Sequence, residues 1–183
     1  MMTSIPLEVT FVSPRTQFGT RLLPVARRIF SETFSYLYDR DAFEAFCDKT
    51  YAVDGPMAKD LADQAVQWRV AAVGGEPIGY AKLTPLRAPA PNPREGAREL
   101  QQIYVLSPWH GKGVAEELMN WAVESALEAN APELYLTVFD HNERAKRFYA
   151  RHGFTEVGNC TFTLGDRVDD DRIWRKPLLA VGA

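Results

Sequence analysis

Between Pro108 and Ala115 the chain reads Pro-Trp-His-Gly-Lys-Gly-Val-Ala, directly after a strand-like run from Glu99 to Leu106 and directly before a helix-periodic segment. A helix opening after such a turn leaves the backbone N–H groups of its first residues unpaired, and the aligned peptide dipoles add a partial positive charge there. Gly111 and Gly113 have no side chain to keep a ligand away from that backbone, and Lys112 contributes a mobile cation. The chemistry on offer is capture of a diphosphate by the amides of His110 to Ala115. The turn has neither the GxxxxGK[ST] of a nucleoside-triphosphate loop nor the GxGxxG of a dinucleotide fold. Taken alone it reads more often as an ordinary helix entry, so the surrounding elements must decide.

Other reactive residue types form no set of their own. His110, His141 and His152 lack HExxH or comparable spacing, so no metal is expected. Cys47 and Cys160 form no CxxC pair, and no neighbouring motif supplies Cys160 with a base, which speaks against an acyl-carrying thiol. From Ser31 to Asp63 eight acidic residues (Glu32, Asp39, Asp41, Glu44, Asp48, Asp54, Asp60, Asp63) face three basic ones (Arg40, Lys49, Lys59). Such a surplus attracts a cationic ligand, although it is more often the solvated face of helices.

The elements that must position these groups follow from periodicity. Leu7 to Val12 reads as an opening strand, and Arg21 to about Gln67 as mostly helix, with Leu22, Val25, Ile29, Phe30, Phe43, Phe46, Leu61 and Ala65 at helical spacing and a break at Gly55-Pro56. Trp68 to Val73 and Ile78 to Thr84 flank Gly74-Gly75-Glu76-Pro77 and predict an antiparallel hairpin. Four prolines between Pro85 and Pro93 make a surface connection. After the glycine turn a helix carries Val114, Leu118, Trp121, Ala122 and Ala129 on one side and closes at Asn130 and Pro132. Leu134 to Phe139 is a buried strand; a short helix from about Asn142 to His152 follows, with Asp140 and Glu143 at capping-box spacing and Gly153 at its end. Phe154 to Val157, Thr161 to Leu164 and Arg172 to Lys176 complete the strands, with Gly165-Asp166 as a turn.

Two segments then decide how the glycine turn is read. Ile103-Tyr104-Val105-Leu106-Ser107-Pro108-Trp109-His110-Gly111-Lys112-Gly113-Val114-Ala115 and Asn142-Glu143-Arg144-Ala145-Lys146-Arg147-Phe148-Tyr149-Ala150-Arg151-His152-Gly153-Phe154 resemble, in order and spacing, the two signatures of the GNAT superfamily of acyl-coenzyme A N-acyltransferases. His110 departs from the Gln or Arg usual there. Phe34 to Tyr51, and Phe162 to Asp166 with Asp169 to Asp171, resemble the polyamine-acetylating, PaiA-like branch.

The resemblance implies an α/β (α+β) fold: a mixed, mostly antiparallel sheet, splayed in the middle and flanked by helices, as one domain over residues 1–183. It implies acetyl-coenzyme A as cosubstrate, with Ile103, Tyr104 and Val105 on the strand, His110, Gly111, Lys112, Gly113, Val114 and Ala115 in the turn and helix start, and Asn142 and Ala145 on the short helix as its binding residues. Asn142 reads equally as a helix cap. Amine acetylation needs a neutral amine and a proton for the departing thiolate. The resemblance to histone-acetylating members of the superfamily implies a general base on the strand at Glu99, beside which Gln101 could order a water, and the family resemblance implies a proton-donating tyrosine at Tyr149. A strand-end carboxylate and an apolar-face tyrosine beside Ala145 and Phe148 are the competing readings. A backbone N–H near Val105 would polarise the thioester carbonyl. The expected activity is transfer of acetyl to a small amine, polyamine or peptide amine by direct attack. The rivals are a coenzyme-binding regulatory module without turnover and a nucleotide-binding protein.

With 183 residues, 46% hydrophobic and 25% charged, the chain has the size and balance of one globular domain. A net charge of -3 disfavours nucleic acid as an obligatory partner. No basic stretch leads into an apolar run at the amino terminus, and no run is long enough to span a bilayer. A cytoplasmic protein with reduced thiols is expected, without a membrane partner, and a homodimer stays open.

Overall fold

The computed structural model describes residues 8–178. Leu7, where the opening strand was expected to begin, lies outside them, as do residues 1–6 of the amino-terminal stretch. The chain opens with β1 (Val9–Val12), then α1 (Pro14–Gln17), α2 (Leu22–Phe34), α3 (Arg40–Thr50) and α4 (Pro56–Ala62). The hairpin β2 (Gln67–Val73) and β3 (Glu76–Pro85) leads to β4 (Arg98–Val105), α5 (Val114–Glu128) and β5 (Glu133–Phe139). The short helix α6 (Glu143–Arg151) precedes a second hairpin, β6 (Thr155–Leu164) and β7 (Arg167–Pro177).

Local chemistry accounts for the boundaries. Gly74 and Gly75 both have positive φ (57° and 82°), the backbone a two-residue hairpin with matching twist requires. Asp39 caps α3 by accepting from the amides of Asp41 and Ala42, and Pro56 opens α4 after Gly55. The helical pattern stops at Ala62, so Ala65 is exposed in the turn before β2 and does not join the core. Ala129 is likewise exposed at the end of α5. The predicted capping box at Asp140 is not formed: Asn142 caps α6 through the amide of Ala145 at 3.1 Å. Asp140 instead faces the cations Arg172 and Lys146, which offer a carboxylate more than one backbone amide does. Two of the expected late strands merge into the single ten-residue β6, whose irregularity at Glu156/Gly158 explains the broken alternation.

The seven strands form one sheet in the order β1-β2-β3-β4-β5-β7-β6. Every neighbouring pair is antiparallel except β4 and β5. That parallel pair holds only at Arg98↔Leu134 and Glu99↔Tyr135; from Leu100 onward the two strands part, and the sheet opens as a wedge. This is the mixed, centrally splayed sheet that the resemblance implied. Helix α5, with Leu118, Met119 and Ala122 fully buried, packs on β2, β3 and β4, while α2 buries Leu22, Ala26 and Ile29. Phe34 of α2 meets Tyr104 edge-on, and Tyr104 meets Tyr80 on β3, so an aromatic layer backs the open side of the wedge.

The wall of the wedge tolerates little change. A Cβ on Gly79 of β3 would come within 2.8 Å of the Tyr104 carbonyl oxygen and 3.1 Å of a Val105 methyl, both on the splayed strand. Gly79→Ala is expected to cost about 1–3 kcal/mol by overpacking, read as a lower urea midpoint with unchanged slope. Native stability would show that β3 and β4 are not so closely apposed.

Candidate active site

The opening of the sheet creates two clefts that share an edge. One, of about 570 Å³, runs from the glycine turn to α6; it is lined by Ile103, Tyr104 and Val105, by His110, Gly111, Gly113 and Ala115, and by Asn142, Ala145 and Tyr149. The other, of about 510 Å³, lies beneath α2, α3 and α4 and reaches β7. Phe34, Ile103, Tyr104, Asn142, Ala145 and Tyr149 belong to both, and so form the passage between them.

At the first cleft Gly113 is the N-cap of α5 with φ 80°, and no side chain caps the helix. The first intrahelical bond of this end is from Glu117 N to Gly113 O, which leaves the amides of Val114, Ala115 and Glu116 without intrahelical partners. A Cβ built on Gly111 or Gly113 meets nothing within 4 Å, so the turn is open to a ligand. Two predicted residues do not line the cleft. Val114 turns its side chain into the core and contributes only backbone, and Lys112 lies over the Trp109 ring at 4.8 Å.

His110 holds a defined place. Arg144 donates to Nδ1 at 2.8 Å, and because a guanidinium only donates, the ring proton sits on Nε2 and is given to the Val105 carbonyl at 2.7 Å. The histidine thus ties the end of β4 to α6 and sets Arg144 at the mouth of the cleft. Arg144, Arg147 and Arg151 all line this cleft, and none has a carboxylate within ion-pair distance among the described residues. Sequence reasoning passed over them; their spacing of three and four along α6 was the available signal. Three cations without carboxylate partners, beside helix-end amides that lack intrahelical partners, suit a ligand with several phosphate groups. Glu116 also borders the cleft, but its charge is turned toward His152 at 3.3 Å.

Tyr149 is 9% exposed at the passage. Burial, then the neighbouring Tyr104, pushes its phenol above the ordinary value, so it stays protonated and serves as a hydrogen-bond donor. Asn142 spends its carbonyl on the helix cap and keeps its NH₂ for the passage, so both readings of this residue are compatible.

The second cleft has aromatic walls from Phe30, Tyr38, Phe46, Tyr51 and Phe162, and four carboxylates: Asp60, Glu99, Asp169 and Asp171. Two cations, Lys82 and Arg87, stand against them. Asp60 is bonded by Lys82 and doubly by Arg87 at 2.9 Å; burial works against its charge, but these partners hold it below the ordinary carboxylate value. Burial lowers Lys82 despite Asp60. Glu99 is 4% exposed, and its Oε2 accepts from the amides of Arg87 and Ala88, both at 2.8 Å, so it pins the proline-rich connection. Asp169 accepts from Tyr38 at 2.5 Å and from Arg167 at 2.6 Å. Of the eight early acidic residues only Asp60 lines the cleft, whereas Glu44 and Asp48 are paired with Arg27 and Glu32 with Arg28 on the surface.

A strand that stops at a glycine turn, a bare helix end and a sheet wedged open beside it all lie within or beside one stretch that a family comparison matches. The model of the acetyltransferase (GNAT) family matches residues 23–154, from α2 to the end of α6. The chain belongs to the acetyltransferase (GNAT) family. Membership makes it an acyltransferase with acetyl-coenzyme A as cosubstrate. It is similar to an uncharacterized N-acetyltransferase of the pepI 3′ region in Lactobacillus delbrueckii subsp. lactis, 29% identical over 86% of this chain and 90% of that one. An aminoalkylphosphonate N-acetyltransferase of Salmonella typhimurium is 31% identical over 54% of this chain and 63% of its own length. The PaiA N-acetyltransferase of Thermoplasma acidophilum, solved with coenzyme A, superposes with a TM-score of 0.71 over 93% of this chain and 99% of its own, at 17% identity. That last likeness is one of fold. Among the described residues no helix is long and apolar enough to cross a membrane, and no cluster of three metal-ligating side chains occurs.

Proposed function

We propose that this acetyltransferase moves acetyl from acetyl-coenzyme A to a cationic primary amine by direct attack, in the cytoplasm and as one domain. One observation carries the reading: two clefts of opposite electrostatic character meet at Tyr149. The first offers free helix-end amides and Arg144, Arg147 and Arg151; the second offers four carboxylates against two cations inside aromatic walls. Residues that would hold the coenzyme are present and open. Backbone groups of Ile103 and Val105 would take its extended arm as an added strand, the amides of Gly111 to Ala115 its diphosphate, and Asn142 the arm from the opposite side. Tyr149 would donate to the departing sulfur. A second acidic cleft favours an acceptor that is positively charged and part apolar. It disfavours one that carries an anion beside its amine, as an aminoalkylphosphonate does.

Thiol release from acetyl-coenzyme A tests this against spermidine, aminoglycosides, free amino acids and peptide amines. Cationic amines are expected to react fastest and acidic amino acids slowest, with the preference weakening as salt is raised. Thermal stabilisation by acetyl-coenzyme A without thiol release from any amine would replace the enzyme with a coenzyme-binding module.

A further inference from the structure

Asp171 lies on β7, opposite Phe139 of β5 on one side and Cys160 of β6 on the other, and it lines the acidic cleft. The other carboxylates of that cleft are engaged: Asp60 by Lys82 and Arg87, Glu99 by two backbone amides, Asp169 by Tyr38 and Arg167. Asp171 alone of the four has no hydrogen bond or ion pair among the described residues. We propose that Asp171, and not Glu99, is the carboxylate that takes the proton from the acceptor's ammonium, while Glu99 acts as a positioning residue for the 85–97 connection. The inference rests on the acetyltransferase reading above.

A base for this step needs a free lone pair, a place in the acceptor cleft, and a proton affinity not far below neutrality. Glu99 has spent one oxygen on two N–H donors of the proline-rich connection, so that oxygen is not free to meet a substrate proton. Asp171 has the opposite surroundings. Burial, then Asp169 and Asp170 on its own strand, raise its carboxyl to about 6. The titratable groups facing it from other elements are Tyr104 of β4, itself raised to about 12 by burial and then by Asp171, Cys160 of β6, raised by burial and then by Asp171, and Tyr38 before α3, raised by burial and then by Asp169, with Asp171 contributing. All three therefore face it uncharged at neutral pH.

The step balances without a further reactant. One ammonium proton moves to an oxygen of Asp171, and the freed nitrogen lone pair forms the C–N bond to the acetyl carbonyl. The C–S bond breaks, the sulfur takes the proton offered by Tyr149, and the second proton lost by nitrogen restores the phenol. Asp171 then returns its proton to water.

Native enzyme, Asp171→Asn and Glu99→Gln are compared by thiol release with acetyl-coenzyme A and the fastest amine of the panel above, at pH values on both sides of 6. In parallel, carboxyl-carbon NMR follows the titration of Asp171 in the native enzyme. The native kcat/KM is expected to rise with pH around a midpoint of about 6. Asp171→Asn should lower it by about 10²-fold and abolish that rise, whereas Glu99→Gln should keep the rise. Between the ordinary carboxylate value and about 6 the folded chain binds more protons at Asp171 than the unfolded chain, so its ionisation weakens the fold as pH climbs. Asp171→Asn should therefore melt no lower than the native chain above that pH. A native rate and profile in Asp171→Asn, or an Asp171 carboxyl titrating in the ordinary carboxylate range, overturns the assignment while leaving the acetyltransferase intact. Thiol release from no amine overturns both.

Discussion

Replacing Tyr149 by Phe is expected to lower kcat by about 10²-fold or more while changing the affinity for acetyl-coenzyme A by less than about twofold. The ring of Tyr149 packs between Phe148 and Phe154, with centroids at 5.7 and 6.1 Å, and a phenyl ring keeps both contacts. Only the hydroxyl is lost, from a residue that lines both clefts. Because burial and Tyr104 hold the phenol above its ordinary value, it donates its proton throughout the neutral range and imposes no limb of its own on the pH profile there. Its value lies in a proton placed where negative charge develops on sulfur. Substrate binding needs none of this, so KM for the coenzyme should stay nearly unchanged. An unchanged kcat in a folded Tyr149→Phe enzyme removes the residue as the acid.

Gly113→Asp is the second large effect, and it acts on binding. A carboxylate at the N-cap of α5 would stand where the free amides otherwise meet the diphosphate. At about 4 Å and an effective dielectric constant of about 20, one added charge costs about 4 kcal/mol against each negative charge it faces, which is on the order of 10³-fold in affinity. The fold should suffer less. A Cβ at Gly113 meets nothing within 4 Å, and the positive φ of 80° is a conformation that aspartate tolerates better than most residues. Gly113→Ala serves as the companion variant: it carries the same backbone strain without the charge and should retain most of the affinity. Calorimetric titration with coenzyme A at low salt separates the two. Equal affinities for both variants would show that the helix end does not meet a phosphate.

What could be read from the chain and what could not divides along a physical line. Features set by neighbours in sequence were legible. Gly74-Gly75 forces a hairpin by its backbone freedom, Gly55-Pro56 separates two helices, and the run from Pro108 to Ala115 is a strand stop, an open turn and a helix start. Features set by strand order were not. Strand β7 inserts between β5 and β6, which carries Asp169 and Asp171 to the cleft walled by α2 and α3, and Tyr38 reaches Asp169 across 131 residues of sequence. No periodicity encodes such a meeting. Glu99 shows the intermediate case. Its strand and burial were within reach of the pattern, but the two amides that occupy its Oε2 come from a proline-rich connection whose return path only the fold determines. The same reason explains Asp140: spacing alone suggested a cap, and Arg172 from the adjacent strand drew it away.

A crystal structure of the enzyme with coenzyme A bound is the most direct measurement. The diphosphate should lie on the amides from Gly111 to Ala115 beside Arg144, with the pantetheine arm between β4 and β5 and its sulfur within hydrogen-bond reach of the Tyr149 hydroxyl. Coenzyme found elsewhere on the molecule, or a wedge closed by the protein's own side chains with no sulfur near Tyr149, would contradict it.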